Sequence, residues 1–408
     1  MSNRDLYYWQ QQAESLAIEN RAFINGEYVN AACGDTFECI SPIDRRALAK
    51  VASCQSEDAD MAVRAARKTF NSGSWSKADP AVRKATMLRF AELIEQHGEE
   101  LALLESLDMG KPISDSLGVD VAATLRALRW SAEAVDKIYD EIAPTPDNEL
   151  GMVTREPVGV VAAIVPWNFP MLMASWKLGP ALAAGNSVVL KPSEKSPLTA
   201  IRLAALAKEA GIPDGVFNVL PGYGHTVGKA LALHHDVDTL VFTGSTAIAK
   251  QLMVYAGESN MKRVWTEAGG KSPNIVFADA PNLDTAAKAA ASAICFNQGE
   301  VCTAGSRLLV EASIKDEFVT KVLEAVKAWQ PGNPLDPNTN VGAIVDRAQF
   351  ERVLGYIKRG QDQGAASRCG GNSVEPVKDG YYIQPTVFDK VDNKMDIASD
   401  EIFGPVLS

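Results

Sequence analysis

Between residues 153 and 268, the pattern of hydrophobic positions switches repeatedly from short continuous runs to a helical repeat. The continuous runs are GVVAAIVP, SVVLKPS, GVFNVLPG and TLVFTGS. The segments between them carry apolar residues at every third or fourth position, which is typical of amphipathic helices. Strands that alternate with helices indicate βαβ units and a parallel sheet. We therefore predict a doubly wound α/β domain in this part of the chain.

The flanking segments have different patterns. RAFINGEYV alternates around Asn25-Gly26, which predicts a short hairpin at a sheet edge. Residues 57–130 follow a helical repeat and are predicted to cover a sheet. After Gly270 the alternation restarts with SPNIVFADA and RLLVEAS, which indicates a second α/β domain. A chain of 408 residues exceeds the size of one hydrophobic core, so at least two domains are expected.

Four loops follow the predicted strands: PWNFP, KPSE, LPGYG and FTGST. Ligands of doubly wound sheets bind beyond the carboxyl ends of the strands, so we expect these loops to face one crevice. Lys191 and Glu194 place a cation and a carboxylate where such sheets bind ribose and phosphate, although a surface ion pair is an alternative. FTGST would offer a helix N-terminus to a pyrophosphate, or would simply cap that helix, and no GxGxxG motif is present.

Composition and charge exclude several classes of protein. The formal net charge of -11 disfavours binding to nucleic acid or to an anionic membrane. The six cysteines are scattered and form no metal-ligand spacing, so we predict no disulfide framework and no metal site. The N-terminus lacks an apolar signal segment, which predicts a cytoplasmic protein. The most apolar stretch, 158–176, is interrupted by prolines, so a strand followed by a loop is favoured over a membrane span.

Three side chains are candidates for covalent chemistry. Cys302 lies in FNQGEVCTAGSR, where small polar neighbours permit the exposure that a nucleophilic thiolate needs, whereas an isolated cysteine such as Cys295 is more often a core residue. Glu267 precedes two glycines, which suggests that another group approaches the backbone closely; a solvated surface position is the alternative. Asn168, held between two prolines, suits either an amide donor to an oxyanion or a turn cap.

The ordered motifs PWNFP, KPSE, FTGST, EAGGKSPN, FNQGEVCTAGSR and EIFGPV, with FINGEYV near the start, resemble the aldehyde dehydrogenase superfamily from about residue 20 onwards. The chain is most similar to bacterial γ-glutamyl-γ-aminobutyraldehyde and guanidinobutyraldehyde dehydrogenases of polyamine and arginine catabolism. The resemblance implies a Rossmann-like NAD-binding domain (157–269) with an N-terminal part (1–136), an oligomerisation arm (137–156) and a catalytic domain (270–408). It also implies a homo-oligomer, either a dimer or a tetramer.

The same resemblance implies a role for each candidate residue. Cys302 would attack the aldehyde and form a thioester, Asn168 and the Cys302 N–H would donate to the oxyanion, Glu267 would activate the hydrolytic water, and Lys177 would relay protons. NAD is the implied cofactor, with NADP weaker because a carboxylate on the ribose repels a 2′-phosphate. The implied cofactor-binding residues are Pro166, Trp167, Lys191, Ser193, Glu194, Gly224, Gly228, Phe242, Gly244, Ser245, Thr246, Glu401 and Phe403.

Substrate contacts are implied for four further residues. Phe169, Met173 and Trp176 would line an aldehyde tunnel if a helix spans 171–184, although their spacing also suits core packing. Asp120, after the GKP segment, would supply a carboxylate at the tunnel mouth for a cationic aldehyde.

The chain departs from the family pattern at two points. It has Ala249 where many relatives have glycine, and it stops at EIFGPVLS where relatives continue, so we expect an incomplete catalytic domain and uncertain activity. Three alternatives stay open: an inactive relative, an acylating enzyme that passes the thioester to coenzyme A, and a nucleic-acid or scaffold protein. Glu267 favours hydrolysis over transfer to coenzyme A, and no basic stripe favours the last of the three.

Overall fold

The computed structural model describes residues 4–408, and its largest element is a seven-stranded sheet. The strands are, in chain order, β1 (Ala22–Ile24), β2 (Glu27–Val29), β3 (Thr36–Ile40), β4 (Ala47–Ala52), β5 (Glu141–Ala143), β6 (Gly151–Val153), β7 (Val160–Ile164), β8 (Ser187–Lys191), β9 (Phe217–Val219), β10 (Thr239–Gly244), β11 (Arg263–Ala268), β12 (Pro273–Val276), β13 (Arg307–Val310), β14 (Ala366–Cys369), β15 (Ser373–Val374), β16 (Tyr382–Ile383), β17 (Thr386–Asp389) and β18 (Val406–Leu407).

The helices are α1 (Leu6–Ser15), α2 (Ser56–Ser72), α3 (Pro80–Gln96), α4 (Gly98–Met109), α5 (Ile113–Asp115), α6 (Ala122–Ala134), α7 (Pro170–Ala183), α8 (Leu198–Glu209), α9 (Lys229–Leu233), α10 (Thr246–Glu258), α11 (Leu283–Cys295), α12 (Lys315–Val326), α13 (Arg347–Asp362) and α14 (Asp396–Ser399). Two π-helical turns, Ser116–Val121 and Gly224–Gly228, and a 3₁₀ turn, Phe296–Gly299, complete the set. Local sequence sets several helix ends: Asp79 caps α3 ahead of Pro80, and α2 ends at Gly73 in the left-handed conformation.

The large sheet confirms the predicted doubly wound fold. Its order is β11-β10-β7-β8-β9-β1-β2, in which β11 to β9 are parallel and the last two strands are antiparallel. Side chains of β7 alternate between two cores: Val161 and Ala163 pack with α3, α4, α6, α7 and α8, while Val160 and Ala162 pack with α2, α9 and α10. Burial on both faces explains why these strands are continuous apolar runs in the sequence.

The predicted N-terminal hairpin is also confirmed. β1 and β2 pair in register around Asn25 and Gly26, whose φ angles are 51° and 82°. Two consecutive left-handed residues make the turn that fits the twist of a two-stranded hairpin, and Asn-Gly adopts it most readily. The hairpin extends the sheet through Phe23, which pairs with Val219 of β9.

The second α/β unit contains the parallel pair β12 and β13 and the three-stranded sheet β14-β17-β18. Backbone hydrogen bonds join these two groups, from Leu308 N to Ser408 O and from Ser408 N to Ser306 O. The sequence pattern predicted β12 and β13, and it missed the strands β14 to β18. The domain boundaries themselves stay predictions.

The antiparallel hairpin of β5 and β6 lies between α6 and β7 in the sequence and carries exposed apolar side chains. It falls inside the predicted oligomerisation arm, 137–156. The predicted interruption of the apolar stretch 158–176 is present, because β7 ends at Ile164 and α7 begins only at Pro170. Across residues 4–408, no helix combines the length and apolarity needed to cross a membrane.

Candidate active site

A cavity of about 270 Å³ lies between the carboxyl ends of β7, β10 and β11 and the loops of the second unit. Its lining combines residues from both halves of the chain: Pro166, Trp167, Asn168, Met173, Thr243, Gly244, Ser245, Ala268, Gly269, Cys302, Gln349, Arg352, Glu401 and Phe403. The predicted nucleophile and the predicted oxyanion donor therefore share one cavity. Glu267, Trp176 and Lys177 line a larger cavity of about 810 Å³ on the side of α7 and β11.

The loop that carries Cys302 begins with a left-handed turn. After α11, the buried residues Asn297 and Gln298 have φ angles of 48° and 57°, which cost non-glycine residues about 1 kcal/mol each. Hydrogen bonds of both side chains offset this cost: Asn297 donates to the carbonyls of Asn168 and Glu300, each at 3.1 Å, and Gln298 donates to Ala343 O at 3.3 Å. The turn thereby fixes the loop against PWNFP.

The Cys302 thiol is half-buried, and its surroundings favour the protonated form. Burial raises its pKa first, the negative charges of Glu267 and Glu401 raise it further, and the backbone N–H groups of Cys302 and Thr303 lower it. A base is needed to generate the thiolate. Cys295 is fully buried and burial raises its pKa to about 12, which confirms that it is a core residue.

Asn168 is buried with its amide held beside the Cys302 loop. Its side-chain Nδ2 donates to Glu300 O at 2.9 Å, and its backbone carbonyl accepts from Asn297 Nδ2. An amide nitrogen carries two protons, and within the described chain only the bond to Glu300 uses one of them. The second proton is available to a ligand atom in the cavity, as an oxyanion donor requires.

Glu267 and Lys177 are linked through the sheet. Glu267 on β11 lies opposite Thr243 on β10, and the Thr243 hydroxyl accepts a hydrogen bond from Lys177 Nζ. Burial lowers the pKa of Lys177, whereas the negative charges of Glu267 and Cys302 raise it. Glu267 itself is exposed in the larger cavity, so water can reach the carboxylate.

The side of the small cavity opposite β7 is formed by the Glu401–Phe403 segment. Phe403 has a φ of 62° and meets Trp167 edge-to-face, with ring centroids 5.2 Å apart. Gln349 on α13 donates to Phe403 O at 2.6 Å, and Arg352 donates to Glu401 O at 2.8 Å. Gln349 and Arg352 were not predicted from the sequence, because polar residues on an amphipathic helix carry no signal of their own.

The Glu401 side chain packs against the backbone of the Gly269-Gly270 pair. The two adjacent glycines had suggested that some group approaches the backbone closely at this point. A Cβ on Gly269 would overlap Glu401 Oε1, and the Gly270 N–H lowers the pKa of the Glu401 carboxyl group. Burial raises the pKa of Glu401, and its Oε1 is buried without a hydrogen-bond partner in the described structure. An unpartnered acceptor at the cavity wall fits a ligand hydroxyl.

The remaining predicted cofactor residues lie along the same sheet edge, where Gly244 and Ser245 also belong to the lining of the small cavity. Ile164 at the end of β7 is in register with Lys191 of β8 and Phe242 of β10. Lys191 is buried and donates to Glu194 Oε2 at 3.2 Å, and Gly228 packs beside it. The others are placed as follows: Ser193 accepts from Lys195 N, Gly224 is exposed, Phe242 packs over Gly244, Ser245 caps α10, and Thr246 is its first residue.

The structure corrects part of the predicted substrate set. Asp120 is fully buried and paired with Lys111 at 2.8 Å, so it does not lie at a tunnel mouth. The sequence could not reveal this because the pairing depends on the π-helical turn that points Asp120 inward. Phe169 is buried, 6.2 Å from Phe296 between ring centroids, and neither cavity includes it in its lining. Met173 lines the small cavity, and Trp176, 53% exposed, lines the large one.

Comparison with known proteins identifies this arrangement. Residues 28–408 match the family model described as "Aldehyde dehydrogenase family". The chain belongs to the aldehyde dehydrogenase family. It is 56% identical over 407 residues to the "NADP/NAD-dependent aldehyde dehydrogenase PuuC" of Escherichia coli (strain K12), which covers 100% of this chain and 81% of that protein.

Solved structures of other aldehyde dehydrogenases superimpose closely on this one. An indole-3-acetaldehyde dehydrogenase in complex with NAD⁺ is 70% identical, with a TM-score of 0.98 over 99% of this chain and 81% of that chain. A gamma-glutamyl-gamma-aminobutyraldehyde dehydrogenase from Burkholderia cenocepacia J2315 is 58% identical, with a TM-score of 0.97 over 99% of this chain and 81% of that chain. This aldehyde dehydrogenase therefore oxidises an aldehyde to the acid, and the predicted family is confirmed.

Proposed function

We propose that this aldehyde dehydrogenase uses NAD to oxidise an amino- or guanidino-aldehyde through a thioester on Cys302, with Glu267 as the base. The observation that carries the proposal is the convergence of Cys302 and Asn168, from separate parts of the chain, on one cavity next to Glu267. These are the three groups that acyl chemistry on a thiol requires: a nucleophile, an oxyanion donor and a base.

The first step is attack of the Cys302 thiolate on the aldehyde carbon. The free amide proton of Asn168 and the Cys302 N–H then donate to the negative oxygen of the tetrahedral adduct. Because burial raises the pKa of the thiol, a base must take its proton, and we assign this role to Glu267, the carboxylate whose charge acts most strongly on the thiol. Removal of one hydrogen-bond donor to the oxyanion typically lowers kcat by about 10²- to 10³-fold.

The residues present fit NAD. Lys191 and Glu194 offer a cation and a carboxylate at one part of the sheet edge, and the unpartnered Glu401 oxygen with the Phe403 and Trp167 rings offers a second subsite. When bound along this edge, NAD would supply the hydride acceptor for the oxidation of the tetrahedral adduct to the thioester. The carboxylate of Glu194 disfavours a 2′-phosphate, so NAD is preferred and NADP is weaker.

Hydrolysis of the thioester regenerates Cys302. Glu267 is exposed to the large cavity, where it can take a proton from water as the water attacks the acyl carbon. Lys177, which donates a hydrogen bond to the Thr243 hydroxyl, lines the same large cavity and passes the proton onwards. A transfer to coenzyme A would not require a base at Glu267.

The relatives of this chain support two substrate classes. The Burkholderia cenocepacia relative supports an aminoaldehyde, and the relative that is 70% identical supports an aromatic aldehyde such as indole-3-acetaldehyde. Trp176 and Trp265, both exposed in the large cavity, could stack on an aromatic ring or meet an ammonium through a cation–π contact. With Asp120 buried, no carboxylate is assigned to an amino group.

The test is NADH formation by this chain and by its Cys302→Ala variant, with 4-aminobutyraldehyde, indole-3-acetaldehyde and butyraldehyde. We expect turnover that depends on Cys302 and a higher kcat/KM for 4-aminobutyraldehyde than for butyraldehyde. A preference for indole-3-acetaldehyde would select the second class. Equal rates for parent and Cys302→Ala would refute Cys302 as the nucleophile.

We also propose that the protein acts as a cytoplasmic homo-oligomer that is assembled through the arm at 137–156. The exposed apolar side chains of β5 and β6 support this assignment, because isolated patches of that kind are uncommon on monomers.

A further inference from the structure

Three charged side chains are fully buried beneath the loop that carries Asn168. They are Glu105 on α4, Lys111 in the loop after α4, and Asp120 in the π-helical turn. Lys111 Nζ donates to Asp120 Oδ2 at 2.8 Å and lies 3.8 Å from Glu105 Oε1. Buried charges are costly unless they are paired, and one ammonium cannot neutralise two carboxylates.

One bound proton balances this cluster. Glu105 Oε1 and Asp120 Oδ1 are both buried without a hydrogen-bond donor in the described structure. Burial and the charge of Asp120 raise the pKa of Glu105 well above its ordinary range. A proton on Glu105 would leave these three side chains neutral overall, and a hydrogen bond from it to Asp120 would satisfy both unpartnered oxygens.

The cluster contacts two residues that follow Asn168 closely in the chain. Glu105 Oε2 accepts from Met171 N at 3.3 Å, which satisfies one of the free N–H groups at the start of α7. Phe169, at the N-cap of α7, supplies no side-chain cap of its own. Lys111 Nζ lies 3.9 Å from the centroid of the Phe169 ring, a cation–π contact between two buried side chains.

We propose that Glu105, Lys111 and Asp120 form a buried positioning triad that fixes Phe169 and Met171 and thereby holds the Asn168 amide in its donor orientation. The inference rests on the proposed function, in which Asn168 stabilises the oxyanion. The triad itself does not touch the substrate. Its effect is transmitted through Asn168, and a misplacement of about 1 Å in such a group can cost about 10²-fold in rate.

A double-mutant cycle in the full chain tests the inference, with Lys111→Met, Asn168→Ala and the combined variant. We expect Lys111→Met to lower kcat by roughly 10- to 100-fold with little change in the KM for NAD. In the Asn168→Ala background, the same change should alter kcat by less than about threefold, because the group that the triad positions is gone. Equal losses in both backgrounds would overturn the triad. An undiminished kcat for Asn168→Ala would instead overturn the proposed oxyanion role.

A second pair of variants covers the case in which Lys111→Met fails to fold. Glu105→Gln keeps an acceptor for Met171 N and a donor for Asp120, so its kcat should match the parent, whereas Glu105→Ala should lose roughly tenfold or more. Asp108→Ala is the matched control, because this buried carboxylate on the same helix accepts from Leu198 N at the start of α8 and from Cys39 Sγ, and not from the start of α7. A kcat loss in Asp108→Ala equal to that in Glu105→Ala, or a Glu105→Gln variant as impaired as Glu105→Ala, would contradict the inference.

Discussion

At the scale of single residues, Glu267 should have two opposite effects on Cys302: its charge disfavours the thiolate, and its carboxylate accepts the thiol proton. Its negative charge raises the pKa of the thiol, second only to burial, while its carboxylate is the proposed base. We expect Glu267→Gln to lower the pKa of Cys302, so that alkylation by iodoacetamide reaches its half-maximal rate at a lower pH. The same variant should lose about 10²- to 10⁴-fold in turnover, because the base is gone.

Mass spectrometry of Cys302 alkylation across pH separates the two effects. Glu401→Gln is the matched control, because the charge of Glu401 raises the pKa of Cys302 less than that of Glu267 does. Its alkylation profile should move in the same direction by a smaller amount. An unchanged or upward shift in Glu267→Gln would show that the two groups do not interact as the structure indicates.

Individual residues were only partly predictable from the sequence. Motif resemblance pointed to Cys302 and Asn168, which do share a cavity, because their neighbours are constrained by turns that leave a recognisable pattern. Asp120 was misplaced, because a carboxylate that is neutralised by a buried lysine looks, in sequence, like any surface acid. Gln349 was missed because its hydrogen bond to the Phe403 carbonyl exists only in the folded chain.

The β11 strand and the glycine pair after it show how one element shapes the proposed cofactor site. A Cβ on Gly269 would overlap the Glu401 carboxylate, whereas a Cβ on Gly270 would meet nothing within 4 Å. We expect Gly269→Ala to displace Glu401 and raise the KM for NAD by roughly 10- to 100-fold, the loss that corresponds to one hydrogen bond to a charged group. Steady-state kinetics with varied NAD would measure this change.

Gly270→Ala serves as the control for that prediction, and it should keep the parent KM, since its added Cβ would meet nothing and would leave Glu401 in place. If both variants behave alike, contact with Gly269 does not determine the position of Glu401.

Strands and helices could be predicted from the sequence where the hydrophobic pattern was regular, as in β7 to β10. The 3₁₀ turn before Cys302 was not, because its left-handed Asn297 and Gln298 depend on buried partners far along the chain.

At the scale of the whole molecule, the β5–β6 hairpin is the feature that the fold leaves uncovered. Ile142 and Met152 face each other across the two strands and are 76% and 65% exposed. Opposite residues of an antiparallel pair lie on the same face, so these two side chains form one apolar patch. A second copy of this chain would remove that patch from water, which is the driving force we propose for assembly.

We therefore expect the parent chain to self-associate and the variant Ile142→Asp/Met152→Asp to sediment as a monomer in analytical ultracentrifugation. A charge at each position would have to be buried unpaired in the interface, and this cost exceeds the apolar gain. Val82→Asp is the control, because Val82 is a similarly exposed apolar residue, 56% accessible, on α3 outside the arm. Cys302 alkylation should be the same in all three proteins, since the arm lies outside the cavity. A monomeric parent, or association that survives the double substitution, would rule out the arm as the interface.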